Sequence, residues 1–121
     1  MKASGLRKKG SRLERKFASM IREYGLDSKA QRRPYSGGVW GVKGRADMIT
    51  KLPFSFECKN QERLDFWGFW EQAEAEASMA KPPVVVYSCN YRPIMVYMKA
   101  ETFLNVLKEL EEIYLKYKAL I

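Results

Sequence analysis

The chain has 121 residues, which is typical of one domain, and its 46% apolar and 30% charged residues match an ordinary globular protein. It contains 22 Lys and Arg against 14 acidic residues, and the net charge of +8 favours a polyanionic partner such as nucleic acid. Histidine is absent, which excludes the usual zinc fingers and any catalytic triad that needs an imidazole base.

The rest of the composition indicates an intracellular protein. No apolar run approaches the ~20 residues that span a membrane, and residues 1–10 lack the apolar stretch of a secretory signal. Cys58 and Cys89 lie in apolar, strand-like runs and are predicted to be reduced core thiols, so we expect a cytoplasmic location. Nothing in the sequence indicates a membrane partner or a small-molecule cofactor.

Residues 1–121 are predicted to form a single domain that begins with a flexible basic arm over residues 1–10. Apolar residues at 3–4 spacing and apolar runs between turn residues predict the order α-β-β-β-α-β-β-α. The predicted helices cover residues 11–24, 65–80 and 100–119. The predicted strands cover residues 29–35, 45–50, 54–59, 84–88 and 94–98. This order predicts an α/β fold in which helices flank a mixed sheet.

The last helix has apolar residues at alternating steps of four and three. They are Phe103, Leu107, Leu110, Tyr114, Tyr117 and Ile121. We expect this face to join the core rather than to form a coiled-coil seam, with a solvated face opposite. The residues assigned to the solvated face are Glu109, Glu111, Glu112, Lys116 and Lys118.

The chemistry is concentrated around Asp47 and the sequence Glu57-Cys58-Lys59. Side chains alternate along a strand, so Glu57 and Lys59 are predicted to share one face while Cys58 lies on the other. If residues 51–53 form a hairpin turn, Asp47 falls directly opposite Glu57. A slip of one residue in this register would place Glu57 on the wrong face.

Two adjacent carboxylates repel each other unless a cation joins them. Mg²⁺ prefers oxygen ligands and keeps several waters, one of which can act as a nucleophile, and Mn²⁺ is expected to substitute for it. Lys59 would orient that water and neutralise charge on a phosphate. The alternative is an exposed hairpin that carries an ordinary surface ion pair.

Five short motifs in order resemble archaeal-type Holliday junction resolvases of the PD-(D/E)XK nuclease superfamily. They cover roughly residues 9 to 80 and are Lys9-Gly10-Ser11 with Glu14-Arg15, then Arg32-x-Pro34-x-Ser36-Gly37, Asp47, Glu57-x-Lys59 and Glu71-Gln72-Ala73-Glu74. The resemblance implies a restriction-endonuclease-like fold with a core of order α-β-β-β-α-β, an extra strand and a C-terminal helix. It further implies a homodimer that makes paired cuts across four-way DNA junctions with Mg²⁺.

The resemblance also assigns roles to individual residues. Asp47 and Glu57 would be metal ligands, Glu14 would reach the metal through water, Lys59 would be the catalytic base or charge stabiliser, and Gln72 would lie beside that lysine. Arg15, Arg32 and Ser36 would contact phosphate or hold the site. Apart from the resemblance, the other residues that we expect to contact DNA are Lys8, Lys9, Arg33, Trp40, Lys43 and Arg45. Ala46 stands where the motif name has proline.

Several alternatives stay open. Ser11 and Glu14 fit a capping box at the start of the first helix, a role compatible with catalysis. The aromatic residues at 66–70 suit a dimer interface, the core or base stacking, and Trp40 suits either DNA contact or a hydrophobic lid. A PD-(D/E)XK nuclease for another DNA substrate, or a catalytically silent DNA-binding module, would share most of these features.

Overall fold

The computed structural model describes residues 3–34, 46–78 and 80–121, with side chains from Ser11 onward. The elements, in chain order, are α1 (Ala3–Glu23), β1 (Gln31–Arg32), β2 (Met48–Ile49), β3 (Ser55–Asn60), α2 (Phe66–Glu76), β4 (Pro83–Ser88), β5 (Met95–Tyr97) and α3 (Ala100–Ala119). The predicted order of helices and strands is confirmed, and the architecture is that of a restriction-endonuclease-like core.

The main sheet has the order β3-β4-β5 and mixes the two strand directions. β3 pairs with β4 in parallel, whereas β4 pairs with β5 antiparallel. A parallel pair needs a crossover connection, and α2 provides it between β3 and β4. The crossover places α2 over one face of the sheet, beside the strand that carries Glu57 and Lys59.

The two faces of the sheet bury different helices, because successive side chains of β4 alternate. Val84 and Val86 pack in a core with Leu13 and Ile21 of α1. Val85, which is fully buried, packs on the opposite face in a core formed with α2. β4 is therefore apolar on both faces, as expected for the central strand of a sheet with a helix on either side.

α2 begins where the sequence provides a cap. The Asp65 carboxylate accepts a hydrogen bond from the Gly68 amide at 3.1 Å, which satisfies one of the free amides in the first turn. A Cβ atom at position 68 would collide with this carboxylate, so glycine is the residue that permits the cap. The helix ends at Glu76, and Ala77 is extended.

The aromatic residues at 66–70 divide between the core and the surface. Phe69 and Trp70 are buried against Val85, whereas Trp67 is 68% exposed. Phe66 is partly exposed and stacks on Tyr97 of β5 with ring centroids 4.2 Å apart. The core interpretation is thus confirmed for two of these four residues. Both cysteines are free, but only Cys58 is buried, and Cys89 is half-buried.

The predicted start of the first helix was wrong. α1 begins at Ala3, so residues 3–10 of the predicted arm are helical. Gly5 and Gly10 do not interrupt the helix, because an isolated glycine costs a helix only about 1 kcal/mol. Ser11 therefore lies inside α1 and has no capping position, and the buried Glu14 pairs with Arg32 instead of capping the helix.

The predicted hairpin was also wrong in its pairing. β2 pairs with β1, with Arg32 opposite Met48, and it is not part of the sheet that contains β3. The strands at 29–35 and 45–50 shorten to two residues each within the described chain. Asp27 explains part of this change, because its carboxylate binds the Thr50 hydroxyl and the Lys51 amide and so holds the end of β2 near α1.

α3 contradicts the expectation that its apolar face joins the core. None of its residues is buried, and residues 103–121 are all exposed. The repeat of four and three residues was read correctly as a helix with one apolar face, but that face does not reach the sheet. Among the described helices, none is long and apolar enough to cross a membrane.

Candidate active site

The site forms on the α2 side of β3, where the strand alternates its side chains. Phe56 and Cys58 belong to the core beneath α1, whereas Glu57 and Lys59 project toward α2. The predicted division of these side chains between the two faces of the strand is confirmed. The Glu57 side chain is only 5% exposed, so the site lies beneath the helix rather than on an open sheet face.

Asp47 is hydrogen-bonded to β3 through both its backbone and its side chain. Its amide donates to the Phe56 carbonyl at 3.1 Å, and its carboxylate accepts from the Cys58 amide at 2.8 Å. These two bonds lie on either side of Glu57 and bring the two carboxylates together without a regular β2–β3 ladder. On the other side of the chain, the Arg33 amide donates to the Asp47 carbonyl at 2.7 Å.

The Lys59 ammonium is held by three different groups. It donates to the side-chain oxygen of Gln72 at 2.6 Å and lies 3.4 Å from Oε1 of Glu57. It also lies 5.5 Å from the centroid of the Phe69 ring, a distance at which a cation is attracted to an aromatic face. Gln72 is therefore beside the lysine, as the resemblance implies.

Glu76 is a third carboxylate of the site, and it was not among the site residues predicted from the sequence. Ligand oxygens of Asp47, Glu57 and Glu76 all lie within 4.8 Å of one another. Residues four apart share one face of a helix, and the Gln72 amide group lies 3.4 Å from Oε1 of Glu76. That spacing could have identified Glu76 from the sequence, because a helix that directs Gln72 toward Lys59 also presents residue 76 on the same helix face.

Burial makes this carboxylate group difficult to ionise. Together with the charges of the neighbouring carboxylates, burial raises the pKa of Asp47 to about 7 and that of Glu57 to about 10, and burial is the larger cause for both. Glu76 contributes through a side-chain hydrogen bond to Glu57, and Lys59 opposes the shift. When the three acidic side chains are ionised, they leave an excess of negative charge around the Lys59 ammonium, which a bound cation would neutralise.

The donor set fits a divalent metal ion. Mg²⁺ and Mn²⁺ prefer carboxylate oxygens, which are what Asp47, Glu57 and Glu76 present. Oε2 of Glu57 is buried and has no hydrogen-bond partner among the described residues. A buried oxygen without a partner costs free energy, and a cation bound there would remove that cost.

A cleft of about 300 Å³ adjoins this group at Glu76. Among the described residues, its lining includes the cationic side chains of Arg33 and Lys81, together with Ser55 and Ser78. Both cations also hold the fold: Arg33 donates to the Ala46 carbonyl at 2.8 Å and Lys81 donates to the Thr50 carbonyl at 2.8 Å. The cleft therefore carries positive charge next to the carboxylates.

Comparison with known proteins agrees with this geometry. The chain matches the family described as "Phage putative PDDEXK endonuclease" over residues 5–120. The protein belongs to this PD-(D/E)XK endonuclease family. No curated protein and no solved structure is similar enough to the chain to match it.

PD-(D/E)XK endonucleases usually depend on a divalent metal, and Asp47 with Glu57-Cys58-Lys59 supplies the acidic and basic residues of the motif name. Ala46 replaces the proline of that name. The structure shows what the position does here, because the Ala46 carbonyl accepts the hydrogen bond from the Arg33 guanidinium. That contact fixes the backbone just before Asp47.

The other residues predicted for the site differ in their relation to the carboxylate group of Asp47, Glu57 and Glu76. Glu14 is buried and forms an ion pair with Arg32 at 3.0 Å, and its charge contributes to the raised pKa of Asp47. Arg15 is exposed on α1. The side chains of Lys8 and Lys9, and the whole of Ser36, Trp40, Lys43 and Arg45, lie outside the described residues. The metal-binding, catalytic and DNA-binding roles assigned from the sequence stay predictions.

Proposed function

We propose that this endonuclease resolves four-way (Holliday) DNA junctions by Mg²⁺-dependent hydrolysis of phosphodiester bonds, acting as a homodimer. The observation that carries the hydrolytic part is the convergence of Asp47, Glu57 and Glu76 beside Lys59 in a chain of the PD-(D/E)XK endonuclease family. Fold and family alone do not select a DNA substrate.

Asp47, Glu57 and Glu76 would hold the divalent cation. When bound, the cation would supply Lewis-acid polarisation of the phosphate and make a nucleophile available near neutral pH. Lys59 would orient the attacking water and stabilise the charge that develops on the phosphate oxygens, and Gln72 keeps its ammonium in place. Hydrolysis in this sense leaves 5′-phosphate and 3′-hydroxyl ends.

The preference for junctions rests on the resemblance to archaeal-type Holliday junction resolvases described above. Glu14, paired with Arg32, would act on the cation through water in that scheme. The predicted DNA contacts are mostly cations and would bind phosphates, which positions the substrate without reading its sequence. The positive cleft beside Glu76 supports a path for the DNA backbone next to the carboxylates.

Cleavage of a four-way junction, compared with a linear duplex of matching sequence, tests the proposal. We expect Mg²⁺-dependent cutting of the junction, no cutting with a chelator, and a much slower reaction on the duplex. Asp47→Asn and Lys59→Ala should each reduce cutting by about 10²- to 10⁴-fold while junction binding persists. Lys108→Ala is a matched control on the exposed surface of α3 and should cut like the unaltered protein.

Each contrary result has a definite meaning. Equal cutting of junction and duplex would identify a nuclease for another DNA substrate and refute the junction specificity. Binding that is independent of Mg²⁺ and never produces nicks, in a protein whose carboxylates are intact, would indicate a silent DNA-binding module and refute the catalytic assignment.

A further inference from the structure

α3 presents an apolar face that nothing covers within the described chain. Its side chains are exposed from Phe103 to Ile121, and they include some of the largest apolar residues of the protein. Leu110 is 61% exposed, Ile113 is 65% exposed and Tyr117 is 63% exposed. A contiguous apolar face of this kind marks an interaction surface in a folded protein.

The spacing of this face matches a helix that pairs with another helix. Phe103, Leu107, Leu110, Tyr114, Tyr117 and Ile121 follow alternating steps of four and three, which is the a/d repeat of a coiled coil. A second series at steps of seven, formed by Val106, Ile113 and Leu120, widens the stripe along one side. The helix has 20 residues and is therefore about 30 Å long, which is enough for a paired seam.

The charge of α3 indicates that its binding partner is not DNA. The helix has four glutamates and three lysines, net −1, so the excess of +8 in the chain arises entirely outside it. A face flanked by these charges has no attraction for phosphates, either of DNA or of an anionic membrane. Mixed charges around an apolar stripe are instead typical of a helix that packs against another protein helix.

We propose that α3 is a dimerisation helix, whose apolar stripe packs antiparallel against α3 of a second copy of this chain. The orientation follows from the helix ends, where Glu101 lies in the first turn and Lys116 and Lys118 lie in the last turn. Antiparallel pairing directs the basic last turn of each helix toward the acidic first turn of the other, and it sets the two helix dipoles in opposite directions.

In this arrangement the seam is complementary to itself. The symmetry axis passes between Leu110 and Tyr114, so Leu110 packs on Tyr114 of the partner subunit and Leu107 packs on Tyr117 of the partner subunit. Phe103 reaches Ile121 of the partner subunit at each end. Of the second series, Ile113 lies closest to its own copy, because it is one residue away from residue 112, at whose level the symmetry axis passes.

The solution mass of the full-length protein, measured without DNA or metal, tests this pairing independently of any cleavage. We expect a dimer for the unaltered protein and a monomer for Leu110→Glu. Leu115→Glu is a matched control, since Leu115 is 57% exposed on the same helix but lies outside the stripe, and it should stay dimeric. A monomeric unaltered protein, or an equal effect of the two substitutions, would overturn the proposal.

The orientation has its own test, in a Cys89→Ser background that removes the half-buried thiol. Antiparallel pairing predicts a rapid disulfide between two copies of Ile113→Cys and none between two copies of Phe103→Cys, which would lie at opposite ends of the seam. The reverse result would show parallel pairing and refute the proposed arrangement. Absence of both disulfides would refute the α3 seam altogether.

Discussion

Glu76 changes the chemistry expected from the Asp47, Glu57 and Lys59 set. Two carboxylates beside one ammonium carry a net charge of −1 when ionised, whereas three carry −2, which is the charge a divalent cation neutralises. Glu76 is half-buried and has its partner Gln72 one turn away, so it is held in place by the same helix face that holds Lys59. We therefore assign Glu76 a place in the site although the motif does not include it.

Replacing Glu76 tests this assignment directly. Glu76→Gln keeps the size of the side chain but removes one anionic ligand, so we expect weaker Mn²⁺ or Mg²⁺ binding and slower cleavage, each by about 10- to 100-fold. Metal titration by calorimetry and the junction assay provide the measurements. Glu74→Gln is the control, because Glu74 is exposed on the same helix and pairs with Lys99. If both variants behave alike, Glu76 is not a ligand.

The raised carboxyl pKa values predict how the stability of the metal-free protein depends on pH. Folded Asp47 and Glu57 retain protons up to about pH 7 and about pH 10, whereas the unfolded chain releases them near pH 4. Their contribution to stability is complete below the unfolded pKa and is lost as the pH rises through the folded values. We expect the free energy of unfolding to fall above about pH 4, by roughly 1.4 kcal/mol per pH unit for each proton released.

Denaturant unfolding in the presence of a chelator measures this profile. Glu57→Gln should flatten it, because one of the two protonated groups is then absent. Adding Mg²⁺ should restore stability mainly at the higher pH, since a cation binds the ionised carboxylates and displaces their protons. A metal-free stability that rises with pH over this range would contradict the assignment.

At the scale of elements, Asp27 joins α1 to the strands that carry the site. Its buried carboxylate accepts from the Lys29 amide at 3.0 Å, the Thr50 hydroxyl at 2.8 Å and the Lys51 amide at 2.9 Å. These bonds lower the pKa of Asp27 to about 2, with the Lys51 amide as the largest cause. The chain between β2 and β3 is thus tied to the turn after α1.

This tether predicts a loss of stability in acid. A lowered folded pKa contributes stability that is complete above the unfolded pKa near 4 and is lost as the pH falls through about 2. Asp27→Asn should destabilise the protein at neutral pH and weaken the pH dependence below about pH 4. Thermal unfolding of both proteins across that range is the measurement, and Asp65→Asn, which alters only the α2 cap, is the control. Parallel curves for Asp27→Asn and the unaltered protein would refute the tether.

The sequence predicted an element correctly where its local residue pattern is compatible with one arrangement only. Alternation along β3 placed Glu57 and Lys59 on one face without knowledge of the fold, and that prediction was correct. The pairing of β2 failed, because contacts made by Asp27 and Arg33 decide it and these come from distant parts of the chain. Glu76 could have been predicted, because it lies one helical turn after Gln72. The exposure of α3 could not, because the same apolar repeat is found both in helices that join a core and in helices that pair with another helix.

At the scale of the whole molecule, the excess positive charge and the exposed apolar surface lie in two different regions of the chain. The excess of positive charge lies before α3, in the part of the chain that also contains the carboxylate group and the positive cleft, whereas α3 itself has a net charge of −1. A dimer joined through α3 would carry two active sites while leaving both basic surfaces available for DNA. Two sites held together are what paired cuts on a junction require.

A supercoiled plasmid with an extruded cruciform distinguishes paired from independent cuts. Two cuts made within one encounter convert the circle directly to a linear molecule, whereas separate encounters first accumulate nicked circles. We expect mainly linear product from the unaltered protein and from Leu115→Glu, and mainly nicked circles from Leu110→Glu, whose carboxylate group is intact. Because each monomer keeps its own site, the rate of the first nick at saturating protein should change by less than about tenfold, a difference of 1.4 kcal/mol in the barrier. Linear product from a Leu110→Glu protein shown to be monomeric would mean that paired cutting does not need the α3 seam.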